Sequence, residues 1–270
     1  MLYVSNDTTN IDLKIEWMYT GSNNYRQPLH LSRKQIFPKS LNWEPLATFG
    51  TDVSEFVDDT RPSDSTIYLY KTETNNSCSA PVYSNEHNNI LLSAIENESD
   101  SATVLNWNEY INWDEGVETY EIWRKTDDQN YVLLGKSEDP EEVYAYDYDG
   151  FDFCYRVKAV EKDGNEARSW SNETCVDFVP TIKTYNFFSP NDDAFNQCLI
   201  FDRISLYPNS VLTIYNRYGA VIKEFKNYQN DWDGKISGKL VPAGTYFYAL
   251  KLNDPRNEQS FIKGYFSIMY

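Results

Sequence analysis

Along the last third of the chain, apolar and polar residues alternate in short runs separated by turn-forming residues. In Thr245–Leu252, the residues Tyr246, Tyr248, Leu250 and Leu252 recur at every second position and therefore share one face of a predicted strand. Val211-Leu212-Thr213-Ile214 and Val221-Ile222-Lys223-Glu224-Phe225 flank Tyr215-Asn216-Arg217-Tyr218-Gly219, where glycine can take φ > 0, so a hairpin is predicted. Further turns are predicted at Ser189-Pro190-Asn191-Asp192-Asp193, Trp232-Asp233-Gly234, Pro242-Ala243-Gly244 and Asp254-Pro255-Arg256-Asn257. A last strand is predicted over Phe261–Ile268.

Upstream, the same alternation repeats with a period near 90. Trp17 in Leu13-Lys14-Ile15-Glu16-Trp17 recurs as Trp107 in Thr103-Val104-Leu105-Asn106-Trp107, and Ser84-Asn85-Glu86 recurs as Ser171-Asn172-Glu173. Leu29–Lys34 parallels Tyr120–Lys125, and Ile67–Tyr70 parallels Cys154–Val157. Several short alternating runs per period predict tandem β-sandwiches. Both copies, the second more closely, resemble fibronectin type III domains: an early Trp, a Tyr-led strand such as Tyr155–Val160, and a closing Ser-Asn-Glu. Trp17 and Trp107 are expected in the cores. His87–Ile90 and Val179–Ile182 are the expected linkers, too short to be flexible tethers.

The ordered motifs of the last third carry a second resemblance. Phe188–Asn196, Leu206-Tyr207-Pro208, Ile214–Gly219, Trp232-Asp233-Gly234, Pro242–Tyr248 and Lys263-Gly264 resemble the gliding-motility-associated C-terminal domain, the type B sorting domain of the type IX secretion system. That family's first motif has two glycines and a final Asp where this chain has Asp192, Ala194 and Gln197. This places an Asx turn ahead of a Ca²⁺ site at Asn191–Asp193. The resemblance implies recognition by the type IX secretion machinery and by an outer-membrane barrel protein of the PorP/SprF type. The residues it assigns to partner recognition are Asn191, Asp193, Asn216, Arg217, Gly219, Trp232, Asp233, Gly234, Gly244, Thr245, Tyr246, Lys263 and Gly264. It also implies export through the periplasm and outer membrane of a Gram-negative bacterium of the Bacteroidota, to the cell surface or the medium.

Composition narrows the rest. The 270 residues are 41% hydrophobic and 16% aromatic, which suits packed β-domains. A net charge of −17 argues against nucleic acid, whose phosphates call for clustered Lys and Arg. No run of 18 apolar residues is present. Met1-Leu2-Tyr3-Val4-Ser5 lacks a signal-peptide pattern, so a longer natural protein is expected.

The four cysteines, at 78, 154, 175 and 198, form no Cys-x-x-Cys motif. Cys154 alternates away from Phe153, Tyr155 and Val157, and Cys175 opens the following strand. A Cys154–Cys175 bridge is therefore expected, closing a loop of about 20 residues and stabilising by about 3 kcal/mol. Cys78 and Cys198 are expected free. His30 and His87 have no zinc-ligand partners at recognisable spacing. No nucleophile elbow, phosphate loop or dinucleotide fingerprint occurs, and no carboxylate pair stands out.

The expectation is an all-β chain of three tandem antiparallel β-sandwich domains: two fibronectin type III-like domains at 1–90 and 91–180, and a sorting domain at 181–270. It is a non-enzymatic export region of a larger adhesin, without cofactor or metal. The rival reading is a ligand-binding adhesion module for a surface glycan or matrix protein. Trp113 and Trp123 would form its platform, and the last domain would be a spacer.

Overall fold

The computed structural model describes residues 2–6, 12–18, 27–38, 40, 42–59, 65–97, 102–145, 150–162, 168–179, 181–193, 195–256 and 261–270. Pro180 of the expected linker, Ala194 of the Phe188–Asn196 motif and Asn257 of the last turn lie outside the described residues. The described elements are antiparallel strands almost throughout. The chain divides into two compact units: unit one holds 1–147 and 152–177, unit two 148–151 and 178–270.

Unit one contains two sandwiches. The first is built from β1 (Leu2–Asn6), β2 (Leu13–Trp17), β3 (Leu29–Phe37), β4 (Glu44–Phe49), β5 (Glu55–Asp58), β6 (Ile67–Asn75), β7 (Pro81–Tyr83) and β8 (His87–Asn88). Its sheets run β1-β2-β5 and β4-β3-β6-β7, with β8 also on β6. The second comprises β9 (Leu92–Asn97), β10 (Ala102–Trp107), β11 (Val117–Thr126), β12 (Val132–Ser137), β13 (Glu141–Ala145), β14 (Asp152–Glu161), β15 (Arg168–Trp170) and β16 (Thr174–Asp177), in sheets β13-β10-β9 and β12-β11-β14-β15, with β16 on β14.

Alternation decides what each strand buries. In β6, Tyr68, Tyr70 and Thr72 point inward, and in β11, Tyr120, Ile122, Arg124 and Thr126 do so. Trp17 and Trp107 are 5% and 6% exposed.

The repeat extends to individual contacts. Ser84 Oγ accepts the Thr72 N–H and donates to the Asn85 carbonyl; Ser171 Oγ accepts the Val157 N–H and donates to the Asn172 carbonyl. Buried Arg33 lies 5.3 Å over the Tyr68 ring, and buried Arg124 lies 5.3 Å over Phe153, so Tyr68 answers to Phe153 and Tyr70 to Tyr155, two residues away from the alignment of Ile67–Tyr70 with Cys154–Val157 read from the sequence. The closing Ser-Asn-Glu is thus a fastening of the last strand to its neighbour.

The expected linker at 87–90 is interior. His87, Asn88, Asn89 and Ile90 are at most 3% exposed. Asn89 accepts the Tyr68 N–H at 2.7 Å and donates to the Thr66 carbonyl. Asn88 donates to the Glu109 carbonyl at 2.8 Å and accepts the Ile111 N–H, and Asn172 bonds both backbone groups of Leu92. Tyr110 and Ser169 also reach Val4 from the second sandwich. An irregular segment can be buried here because asparagine side chains satisfy its backbone groups.

Unit two has β17 (Phe187–Phe188), β18 (Val211–Tyr215), β19 (Val221–Lys226), β20 (Lys235–Ile236), β21 (Lys239–Leu240), β22 (Gly244–Lys251) and β23 (Phe261–Ile268). Its five-stranded sheet runs β17-β23-β22-β18-β19, with β17 parallel to β23, and β20-β21 form a separate hairpin. The predicted Val211–Phe225 hairpin is β18-β19, and Tyr246, Tyr248, Leu250 and Leu252 face the core as their alternation predicts. Against that face pack Leu199, Phe201, Ile204, Tyr207, Tyr228 and Trp232, so the opposing layer is largely irregular chain. Phe151 belongs to this core, edge-on to Tyr207 at 5.5 Å and 3.6 Å beneath the Arg256 guanidinium.

Candidate recognition surface

Strand register brings most of the assigned residues to one end of the unit-two sheet. Tyr215 pairs with Phe247, Gly244 with Ile268, and Phe188 with Ile268. The Asn216–Gly219 turn, the start of β22 and the loop after β17 therefore share that end. Trp232–Gly234 joins them: Leu199 N–H donates to the Trp232 carbonyl, and a Cβ at Gly234 would lie 3.6 Å from Phe188.

Asn191 and Asp193 are exposed on a loop closed by Gln197. The Gln197 amide nitrogen lies 3.1 Å from Asn191 Oδ1, 3.0 Å from Asp193 Oδ1 and 3.0 Å from the Phe195 carbonyl, while its oxygen accepts the Asp192 N–H. An amide group thus faces the three oxygens that would otherwise suit a hard cation. The Phe195 N–H, then Asn191 and Gln197, hold the Asp193 carboxyl below its ordinary value.

Asn216 organises the hairpin turn. Its side-chain oxygen accepts the Tyr218 and Ala220 N–H groups, its own N–H donates to the Ala220 carbonyl, its carbonyl accepts the Gly219 N–H, and Gly219 sits at φ 79°. Asn76 in unit one makes the same four bonds around Cys78, Ser79 and Ala80, with Ser79 at φ 59°. Arg217 is exposed, its guanidinium 4.8 Å from the Tyr218 ring, and Tyr218 is 79% exposed.

Trp232 is 4% exposed, with its indole N–H donating to the Lys235 carbonyl, and Tyr246 is buried with its hydroxyl on the Pro242 carbonyl. These two shape the end from within. Asp233 is half-buried, and the hydrogen bond from Lys235 lowers its pKa and raises that of Lys235. Gly234 (φ 79°) and Gly244 (φ 146°) occupy backbone conformations that side chains disfavour. Thr245 is exposed, its hydroxyl 3.5 Å from that of Ser267.

Lys263 and Gly264 lie mid-strand, away from the shared end. Tyr248 opposes Gly264 and lays its ring across it, so a Cβ there would collide with the ring and its hydroxyl. The motif's glycine is a seat for a core tyrosine.

Cys154 and Cys175 of unit one are disulfide-bonded across the β14–β16 pair, while Cys78 of unit one and Cys198 of unit two are free. Burial raises the Cys198 thiol's pKa. Trp113 is 4% exposed and packed at a tilt against Tyr110, ring centroids 4.2 Å apart, so it cannot be the open platform expected of it. Trp123 is half-buried, 5.9 Å from Trp170, with the Lys158 ammonium 5.5 and 5.3 Å from the two rings. His30 is exposed on β3 and bonded to Thr48, whereas His87 is 2% exposed. Burial lowers the His87 pKa to about 4, against an opposing hydrogen bond to the Ile111 backbone.

Among curated proteins, none matches the chain. A solved structure, the tetra-tandem repeat in the extending region of a large adhesion protein, is 12% identical, with a TM-score of 0.32 over 99% of this chain and 74% of that one. The C-terminal unit, with its converging turns and its Tyr248-covered glycine, matches over residues 182–268 the family model of the CHU_C type IX secretion signal domain.

Proposed function

We propose that this chain is the C-terminal export and surface-targeting region of a larger adhesin, and that residues 181–270 are its address. The observation that carries the reading is the family match over 182–268, whose turns converge on one end of a single sheet. In this reading the type IX machinery and a PorP/SprF-type barrel protein recognise the exposed part of that end: the Asn191–Asp193 loop, the Arg217 turn and Thr245. Trp232, Gly234, Tyr246 and Gly264 hold it in shape. Residues 1–90 and 91–180 are the upstream adhesin domains, and the protein is non-enzymatic and surface-exposed or secreted.

The test is display of a fluorescent reporter carrying a signal peptide, fused to residues 1–270 or to the chain truncated after Val179. The full fusion is expected at the cell surface and the truncated one in the periplasm. Equal surface display of both would sink the export role. Arg217→Ala is expected to weaken display while leaving the melting of unit two within about 0.5 kcal/mol of the parent, because the side chain is exposed.

A further inference from the structure

The outer face of the unit-two sheet carries aromatic and lysine positions and, among the described residues, one exposed carboxylate, Glu224 opposite Thr213. Register aligns Val221, Tyr215, Phe247 and Tyr265 in one row across β19, β18, β22 and β23. Val221, Phe247 and Tyr265 are 58%, 46% and 55% exposed, and Tyr215 is half-buried. Toward the opposite sheet end, a second row runs Lys226, Val211, Lys251 and Phe261, and Lys263 follows on β23 with its ammonium 4.8 Å from the Phe261 ring. Lys226, Lys251 and Lys263 are exposed and have no carboxylate partner among the described residues. The charge of the segment agrees with that of the face. Of the 24 basic and 41 acidic residues, 10 and 8 lie in 178–270, so that segment carries +2 and residues 1–177 carry −19.

We infer that this face binds an acidic polysaccharide, a glycan chain bearing uronate groups. Adjacent strands are about 4.8 Å apart, so Tyr215, Phe247 and Tyr265 form a flat ladder about 10 Å long, on the scale of successive sugar rings. The electron-rich ring faces meet the electropositive C–H faces of sugars. The lysines lie one same-face row (Lys263) and two rows (Lys226 and Lys251) along the strands from this ladder, where they meet the carboxylates of a chain that runs on past it. A lipid surface fits less well, because the two exposed phenylalanines of the face, Phe247 and Phe261, stand in different rows and the face is interleaved with Thr213, Thr245 and Ser267. A purely acidic polypeptide would use the lysines and leave the aromatic row idle.

The experiment is affinity electrophoresis and calorimetry of the 270-residue chain with calcium-free polygalacturonate. Dextran, poly-glutamate and anionic phospholipid vesicles serve as the other arms. Polygalacturonate is expected to bind and dextran not to. The pair Lys251→Gln/Lys263→Gln and the pair Phe247→Ala/Tyr265→Ala are each expected to weaken binding at least tenfold. Phe247→Leu, which keeps apolar bulk and safeguards folding, is expected to weaken it several-fold. The inference is overturned if the aromatic variants bind as the parent does, if poly-glutamate binds equally well, or if only vesicles bind. Export of the reporter is measured separately and does not depend on the outcome.

Discussion

At the centre of the first sandwich of unit one sit Arg33, Asp58 and Tyr70, with the guanidinium and the phenol both bonded to Asp58 Oδ2. Unit two has at its centre Phe188, Phe201, Trp232, Tyr248 and Phe266, ring against ring, and keeps the Asp233–Lys235 and Arg256–Asp254 pairs toward solvent. The contrast shows where a single substitution bites. A buried ion pair contributes little net stability while intact, but removing one partner strands the other charge. An exposed pair is largely replaced by water.

The largest expected effect follows from that difference. Asp58→Ala should destabilise unit one by about 3–5 kcal/mol, whereas Asp233→Ala should cost unit two under ~1 kcal/mol. Calorimetric unfolding measures both, and equal small losses would erase the contrast.

Acid should separate the units next. Neutral His87 is favoured in the fold, so between pH 6.5 and about 4 the unfolded state binds the extra proton. Unit one should therefore lose roughly 3 kcal/mol as pH falls through that window and little more from this group below it. Asp193, Asp233 and Asp254 have lowered pKa values, so their contributions to unit two persist above pH 3.8 and are lost below it. His87→Gln should flatten the dependence of unit one; an unchanged slope in that variant would assign it elsewhere.

Packing inside unit two offers a third comparison. Gly264→Ala should cost unit two about 1–3 kcal/mol by displacing the Tyr248 ring, while Gly116→Ala in unit one meets no neighbouring atom and should cost only the ~1 kcal/mol of its positive φ. Equal melting shifts would remove the packing argument.

The smallest effect concerns the twin turns. Ser79→Gly should stabilise unit one, and Gly219→Ser should destabilise unit two, each by up to about 1 kcal/mol, since both positions are left-handed. Shifts of the same sign in the two variants would show that the turns differ despite their shared bonds.

Local alternation made much of the fold legible. The β18-β19 hairpin, the inward Tyr246–Leu252 row and the paired Ser-Asn-Glu fastenings follow from period-two patterning and repeat spacing. What stayed hidden depends on partners distant in sequence. His87-Asn88-Asn89 reads as a polar linker, yet it is buried because each amide finds backbone groups across the two sandwiches. Trp113 reads as exposed in a loop and is covered by Tyr110. The lysine and aromatic rows of the last sheet escaped a charge count made over the whole chain, because the acidic upstream segment outweighs them.

The parallel pairing of Phe187 with Ser267 joins positions 80 residues apart, whereas β18 and β19 are neighbours through a turn. Closing so long a loop is entropically costly before its contacts form, so this pairing should belong to the late events of folding. Substitutions at Phe188 should then leave the refolding rate nearly unchanged and speed unfolding, while those at Leu212 and Ile214 should slow refolding. The end of the sheet where Phe188, Gly234, Gly244 and Ile268 meet would be the last part to take shape. A receptor that grips that end would be sensing maturity, admitting finished molecules and passing over those still in progress.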